Sequence, residues 1–144
     1  MSKRLFTASR VVPAAAEEIF ALLADPARHV EVDGSGTVQR LVAGRGPMSL
    51  GSEFTMVQKA FGVTYRITSR VVEYEENRRI AWCHLGRNLW RYELEPTDGG
   101  TRVTESADYR PMRFQPFSMW LVRVRLIDDS LTTTLDNLVK RFAS

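Results

Sequence analysis

The sequence predicts an α+β domain: a curved seven-stranded antiparallel sheet wrapped around one long C-terminal helix, with two short helices after the first strand. Three observations lead there. From Phe117 to Phe142 apolar residues recur at steps of three or four, the spacing of one helical stripe. Between residues 37 and 109 the pattern changes to period two, in runs separated by turns rich in Gly, Pro and Asp. A further strand-like run precedes two short helical patterns. Strands joined by turns this short pair antiparallel, because a parallel pair needs a crossover of about a dozen residues or more.

Residues 4–12, RLFTASRVV, mix β-branched, aromatic and polar residues without Gly or Pro and read as the first strand. Pro13 stops it. Glu17 and Glu18 suit the positive end of a helix dipole, and Ile19, Phe20, Leu22 and Leu23 supply an apolar face, so a helix follows from about Ala14 to Ala24. Asp25-Pro26 breaks it. PARHVEVDG makes a second short helical turn ending in the Gly34-Ser35-Gly36 loop.

Residues 37–43 form a strand, and GRGPMSLG connects it to residues 52–59, where Phe54 and Met56 alternate with Thr55 and Val57. In residues 63–74, Tyr65, Ile67, Ser69 and Val71 share one face and Arg66, Thr68 and Arg70 the other. After a turn at 75–78, residues 79–85 carry Trp82 and His84 on one face and Cys83 on the opposite one. Another turn leads to a strand on which Trp90, Tyr92 and Leu94 share a face. Asp98-Gly99-Gly100 is a strong hairpin signal, and residues 101–109 complete the set.

The long helix carries Phe117, Trp120, Leu121, Val124, Ile127, Leu131, Leu135, Leu138 and Phe142 on its stripe. Pro111 and Pro116 punctuate its entry, and Lys140 and Arg141 suit its carbonyl end. At about 1.5 Å per residue it is roughly 39 Å long, so something large must cover the stripe. Arg123, Arg125, Asp128 and Asp129 exclude a membrane span and stable membrane insertion. The stripe is also broader than a coiled-coil seam, which favours packing on a wide surface.

With 144 residues, 44% hydrophobic and 26% charged, the chain fits one globular domain over residues 1–144. The net charge of +3 is interleaved with acids along nearly every segment, which argues against a nucleic-acid partner. Cys83 alone cannot form an internal disulfide, and MSKRLFTASR has no apolar stretch behind its basic residues, so the expected compartment is the cytoplasm. Monomer and homodimer both stay open.

The stretches VVPAAAEEIFALLADPARHVEVDGSG, RVVEYEENRRIAW, WRYELEPTDGGTRVTESADY and LTTTLDNLVKRF resemble the START-like (SRPBCC) superfamily, specifically its polyketide cyclase, dehydrase and lipid-transport branch. The resemblance covers nearly the whole chain and implies the helix-grip fold. It also implies a deep cavity between sheet and long helix that accommodates lipids, polyketides, hormones or other apolar molecules. Some members are cyclases or dehydratases and many only bind, so the resemblance specifies fold better than chemistry.

No metal site or cofactor is expected. His29, His84 and Cys83 are the only His and Cys residues, and the adjacent pair 83–84 points to opposite faces of a strand. The Gly34–Gly36 and Gly44–Gly46 loops lack the lysine and context of a phosphate loop, and no serine sits in a nucleophile elbow. The interest lies on the sheet. If Tyr65, Ile67, Trp82, Trp90, Tyr92 and Leu94 face the helix, alternation puts His84, Glu105 and Tyr109 there too. Phe54 joins this face, and Trp120 and Val124 oppose it from the helix. These positions form the candidate ligand-binding set, in either of two states: a lined cavity or a filled core with polar tips at its rim.

Glu105, between Val103 and Ala107, would be costly to desolvate without a partner. Arg91 faces outward by alternation, leaving His84 or a tyrosine hydroxyl. A His84–Glu105 pair would suit proton abstraction beside a carbonyl. The alternative has Glu105 at the rim in water and His84 in a structural hydrogen bond, and His29 is placed with Asp33 at the mouth of the cavity. Three functions follow: binding of a hydrophobic or aromatic small molecule; an aromatase, cyclase or dehydratase using His84, Glu105 and the tyrosines; or a regulatory interaction, for which basic charge is the one hint. Nothing in the sequence supplies the oriented partner of a general base, so Glu105 is expected to be structural.

Overall fold

The computed structural model describes residues 5–36, 38–60, 62–84, 88–110 and 117–143, with backbone alone for residues 60 and 117–126. The elements are β1 (Leu5–Val12), α1 (Ala16–Leu23), a 3₁₀ helix (Pro26–Glu31), β2 (Val38–Ala43), β3 (Glu53–Ala60), β4 (Val63–Glu75), β5 (Arg79–Cys83), β6 (Leu89–Thr97), β7 (Gly100–Asp108) and α2 (Phe117–Phe142). The last matches the helix read from the sequence at both ends.

β2 to β7 meander in sequence order, and β1 returns to the far edge to pair with β7, giving the order β1-β7-β6-β5-β4-β3-β2 with every pair antiparallel. α2 lies along β1 and β7, the 3₁₀ helix lies against β2, and α1 meets β6, so helical cover reaches the inner face from both edges. Turn chemistry holds this register. At the β6–β7 hairpin Gly100 has φ +136°, and a Cβ there would collide with the Val12 carbonyl, which only glycine avoids.

Inner-face positions are buried as alternation requires: Phe54 and Met56, Ser69 and Val71, Ile80 and Trp82, Tyr92 and Leu94, Val103, Glu105 and Ala107. A bulge between Val71 and Glu73 resets β4, leaving Val72 exposed and returning Tyr74 inward, edge-on to Phe20 with ring centroids 5.6 Å apart. On the outer face Arg91 grips Glu73 through two hydrogen bonds of 2.9 and 2.6 Å, confirming its outward orientation.

Among the described residues the core forms two clusters. Leu135 and Leu138 of α2 join α1, Phe54, Trp82, Tyr92 and Val103 in the larger cluster. Ile127 and Leu131 join Phe6, Ala107 and Tyr109 in the smaller. Among the described residues, half-buried Ala8 and Trp90 border both clusters. The segment after the 3₁₀ helix is pinned to α2: the Gly34 N–H donates to Thr134 Oγ1 at 2.8 Å and Asn137 donates to the Val32 carbonyl at 3.1 Å. A Cβ on Gly34 would come within 2.5 Å of the Thr134 backbone nitrogen, so glycine is required there.

Candidate functional site

The inner face holds an aromatic group centred on Trp82. His29 stacks on its indole, with centroids 4.9 Å apart and planes at 20°. Phe54 meets it edge-on at 5.5 Å and Tyr92 at 5.7 Å with a 40° tilt. The ring of His29 is fixed by Nε2, which is 2.8 Å from the Leu23 carbonyl; a carbonyl only accepts, so Nε2 carries the hydrogen. Burial holds the imidazole below its usual pKa and hence neutral at pH 7. His29 is half-buried, with its ring packed on Trp82 and Phe54. Asp33 closes on its own loop, accepting from the backbone nitrogens of Ser35, Gly36 and Val38 and from the Ser35 hydroxyl, and its charge acts on His29.

Glu105 is the other centre. It lies in register with Ala8 of β1 and Tyr92 of β6 and is 0% exposed, not at a wetted rim. Its Oε2 accepts the Trp90 indole N–H at 2.7 Å, and the Tyr92 hydroxyl approaches the same carboxyl. Oε1 is buried with no hydrogen-bond partner among the described residues. Burial, outweighing the Trp90 and Tyr92 hydrogen bonds, pushes the carboxyl up to about 8, and the negative charge of Asp33 adds to the shift. A carboxyl pushed up to about 8 is mostly protonated at pH 7.

The pairing of His84 with Glu105 is not formed. Glu105 lies level with Tyr92 and Ile80, while His84 is four residues farther along than Ile80, about 13 Å at the rise of a strand. His84 instead pairs through Nδ1 with the buried Ser69 hydroxyl at 2.5 Å. That partner was legible as an inner-face residue, but no spacing rule couples positions on β4 to the end of β5. Tyr65, in register with Gln58 near the tip of the β3–β4 hairpin, is 36% exposed. Ile67 is half-buried next to it. Tyr109 packs edge-on against Phe6, with centroids 6.3 Å apart, in the smaller cluster. The side chains of Trp120 and Val124, and the entry at Pro111 and Pro116, lie outside the described residues.

A family model described as "Polyketide cyclase / dehydrase and lipid transport" matches residues 3–143. The chain belongs to that family. This cyclase/dehydrase-family chain is 46% identical over 99 residues to the uncharacterized protein Rv0088 of Mycobacterium tuberculosis, a match covering 68% of the chain and 44% of that protein. It therefore spans less than half the length of the curated relative. Among solved structures it resembles CV1439 of Chromobacterium violaceum, with a TM-score of 0.75, 17% identity and 99% of both chains covered. It also resembles DynU16, a protein of the dynemicin biosynthetic locus, with a TM-score of 0.69 and 19% identity over 99% of this chain and 48% of that one. At these identities the family member shares the fold of both. None of its described helices is long and apolar enough to cross a membrane.

Proposed function

We propose that this family member binds a hydrophobic or aromatic small molecule, lipid-like or polyketide-like, in a cavity between the inner face of the sheet and α2. The observation that carries this is that, among the described residues, two apolar clusters meet at Ala8 and Trp90, where a fully buried acid keeps one oxygen without a partner. A close-packed core would not leave such a group, because an unsatisfied buried oxygen costs about 1–3 kcal/mol. The same reading takes residues 1–144 as one domain, working as a monomer or homodimer in the cytoplasm, where a free Cys83 is stable. Native mass spectrometry after incubation with a panel of fatty acids, sterols and aromatic polyketides tests it. A stoichiometric adduct is expected, and no uptake across the panel overturns the reading.

A second reading, an aromatase, cyclase or dehydratase, is favoured by one observation: Glu105, pushed up to about 8, holds a proton that it could lend near neutral pH. Turnover lost roughly a hundredfold or more in a folded Glu105→Gln variant would establish it. Binding stands first because His84, the other acid–base candidate, pairs with Ser69 and supplies no second titrating group beside Glu105.

A further inference from the structure

The hydrogen-bond inventory at Glu105 narrows the class of molecule that fits. Oε2 accepts from Trp90, so in the neutral carboxyl the hydrogen belongs on Oε1, the oxygen without a partner among the described residues. The acid is thus a buried donor. Among the described residues no lysine or arginine acts on it; the charge that does is Asp33, which is negative and already saturated by its own loop. An anionic head group brought here would meet a negative field with no cation among the described residues to offset its desolvation.

We propose that Glu105 is a specificity-determining anchor that donates its Oε1 hydrogen to a neutral carbonyl oxygen, such as a ketone or quinone, of an apolar ring system, and that the site rejects carboxylate lipids. The proposal rests on the cavity reading above and adds to it the chemistry of the ligand's polar end. The ring system would meet Trp82, Tyr92 and Phe54, whose faces and edges suit flat apolar molecules. Trp90 holds the carboxyl in place, so the donor is oriented before the ligand arrives.

The test uses a matched set of probes on one skeleton, titrated into the full chain at pH 6.5 by tryptophan fluorescence and calorimetry: fluorene, fluorenone, fluorene-9-carboxylate and 9-aminomethylfluorene. Fluorenone should bind about tenfold tighter than fluorene, the value of one well-made hydrogen bond, and the carboxylate should bind more weakly than either. The carbonyl stretch of bound fluorenone should move to lower frequency. Glu105→Leu should abolish both the preference and the shift. Glu105→Gln, whose amide still donates, should keep them, which separates donation from a general effect on folding. Since Glu105 ionises near pH 8, the wild-type preference should fade above that pH while that of Glu105→Gln persists. Equal binding of fluorene and fluorenone, unaffected by Glu105→Leu, overturns the anchor while leaving the cavity intact. Tightest binding of the carboxylate or of the cationic amine also overturns it, the latter by showing an ionised Glu105. If no probe binds, the anchor is overturned, while the cavity reading is decided separately by uptake from the lipid and polyketide panel.

Discussion

Glu105 carries the clearest residue-scale consequence because its folded and unfolded states hold a proton over different ranges. Burial raises its pKa from 4.5 to about 8, so between those values the folded state keeps a proton that the unfolded chain has lost. Its contribution to stability is fully present below about pH 4.5 and is lost as the pH rises through 8. Gln cannot titrate. The stability of Glu105→Gln relative to wild type should therefore rise with pH across this window by about 1.4 kcal/mol per pH unit, measured by urea unfolding at several pH values. A pH-independent difference would mean that Glu105 is ionised in the folded protein. His29 and His84, both held low by burial, act oppositely: the unfolded chain protonates first, so they lower stability as the pH falls below 6.5. They cancel in the comparison because both proteins contain them.

At the scale of elements, α2 and β5 supply separate tests. Leu131 is 0% exposed between Phe6, Ala107 and Tyr109, so Leu131→Ala should cost on the order of 2 to 5 kcal/mol in chemical denaturation. A loss below about half a kcal/mol would mean that α2 does not pack on β1 and β7. On β5, Cys83 pairs in register with outward-facing Arg70 and lies opposite in sense to Trp82, so it belongs to the outer face. Thiol reagents should modify it in the native protein without changing ligand uptake. Protection that is released by stripping ligand would place Cys83 on the inner face. Both predictions depend on what periodicity reports well, the direction in which each side chain points. Periodicity is silent on how deeply each position is buried: Tyr65 shares a face with buried Ser69 and Val71 yet is 36% exposed near a hairpin tip.

For the whole molecule, the divided core predicts independence. Leu131 belongs to the smaller cluster and Leu138 to the larger, about 10 Å apart along α2. In ligand-free protein the losses from Leu131→Ala and Leu138→Ala should add to within about half a kcal/mol in the double variant. Coupling above about 1 kcal/mol would show one continuous core and remove the principal support for a cavity.

The sequence by itself determined the strand-helix-helix-six-strand-helix order, the antiparallel pairing of the meander, the span of α2 and the inward direction of Trp82, Tyr92 and Glu105. Each of these follows from periods of 2 and 3.6 residues and from turn residues, which act over a few positions of chain. Tertiary structure alone decided that β1 closes on β7, that Trp90 rather than His84 holds Glu105, that His84 meets Ser69, and that His29 stacks on Trp82. Those contacts join residues on different strands or across the sheet, where register, bulges and the docking of the 3₁₀ helix set distances that no local pattern encodes. The elevated pKa of Glu105 belongs with them, since it arises from what surrounds the carboxyl on all sides and not from its neighbours in the chain.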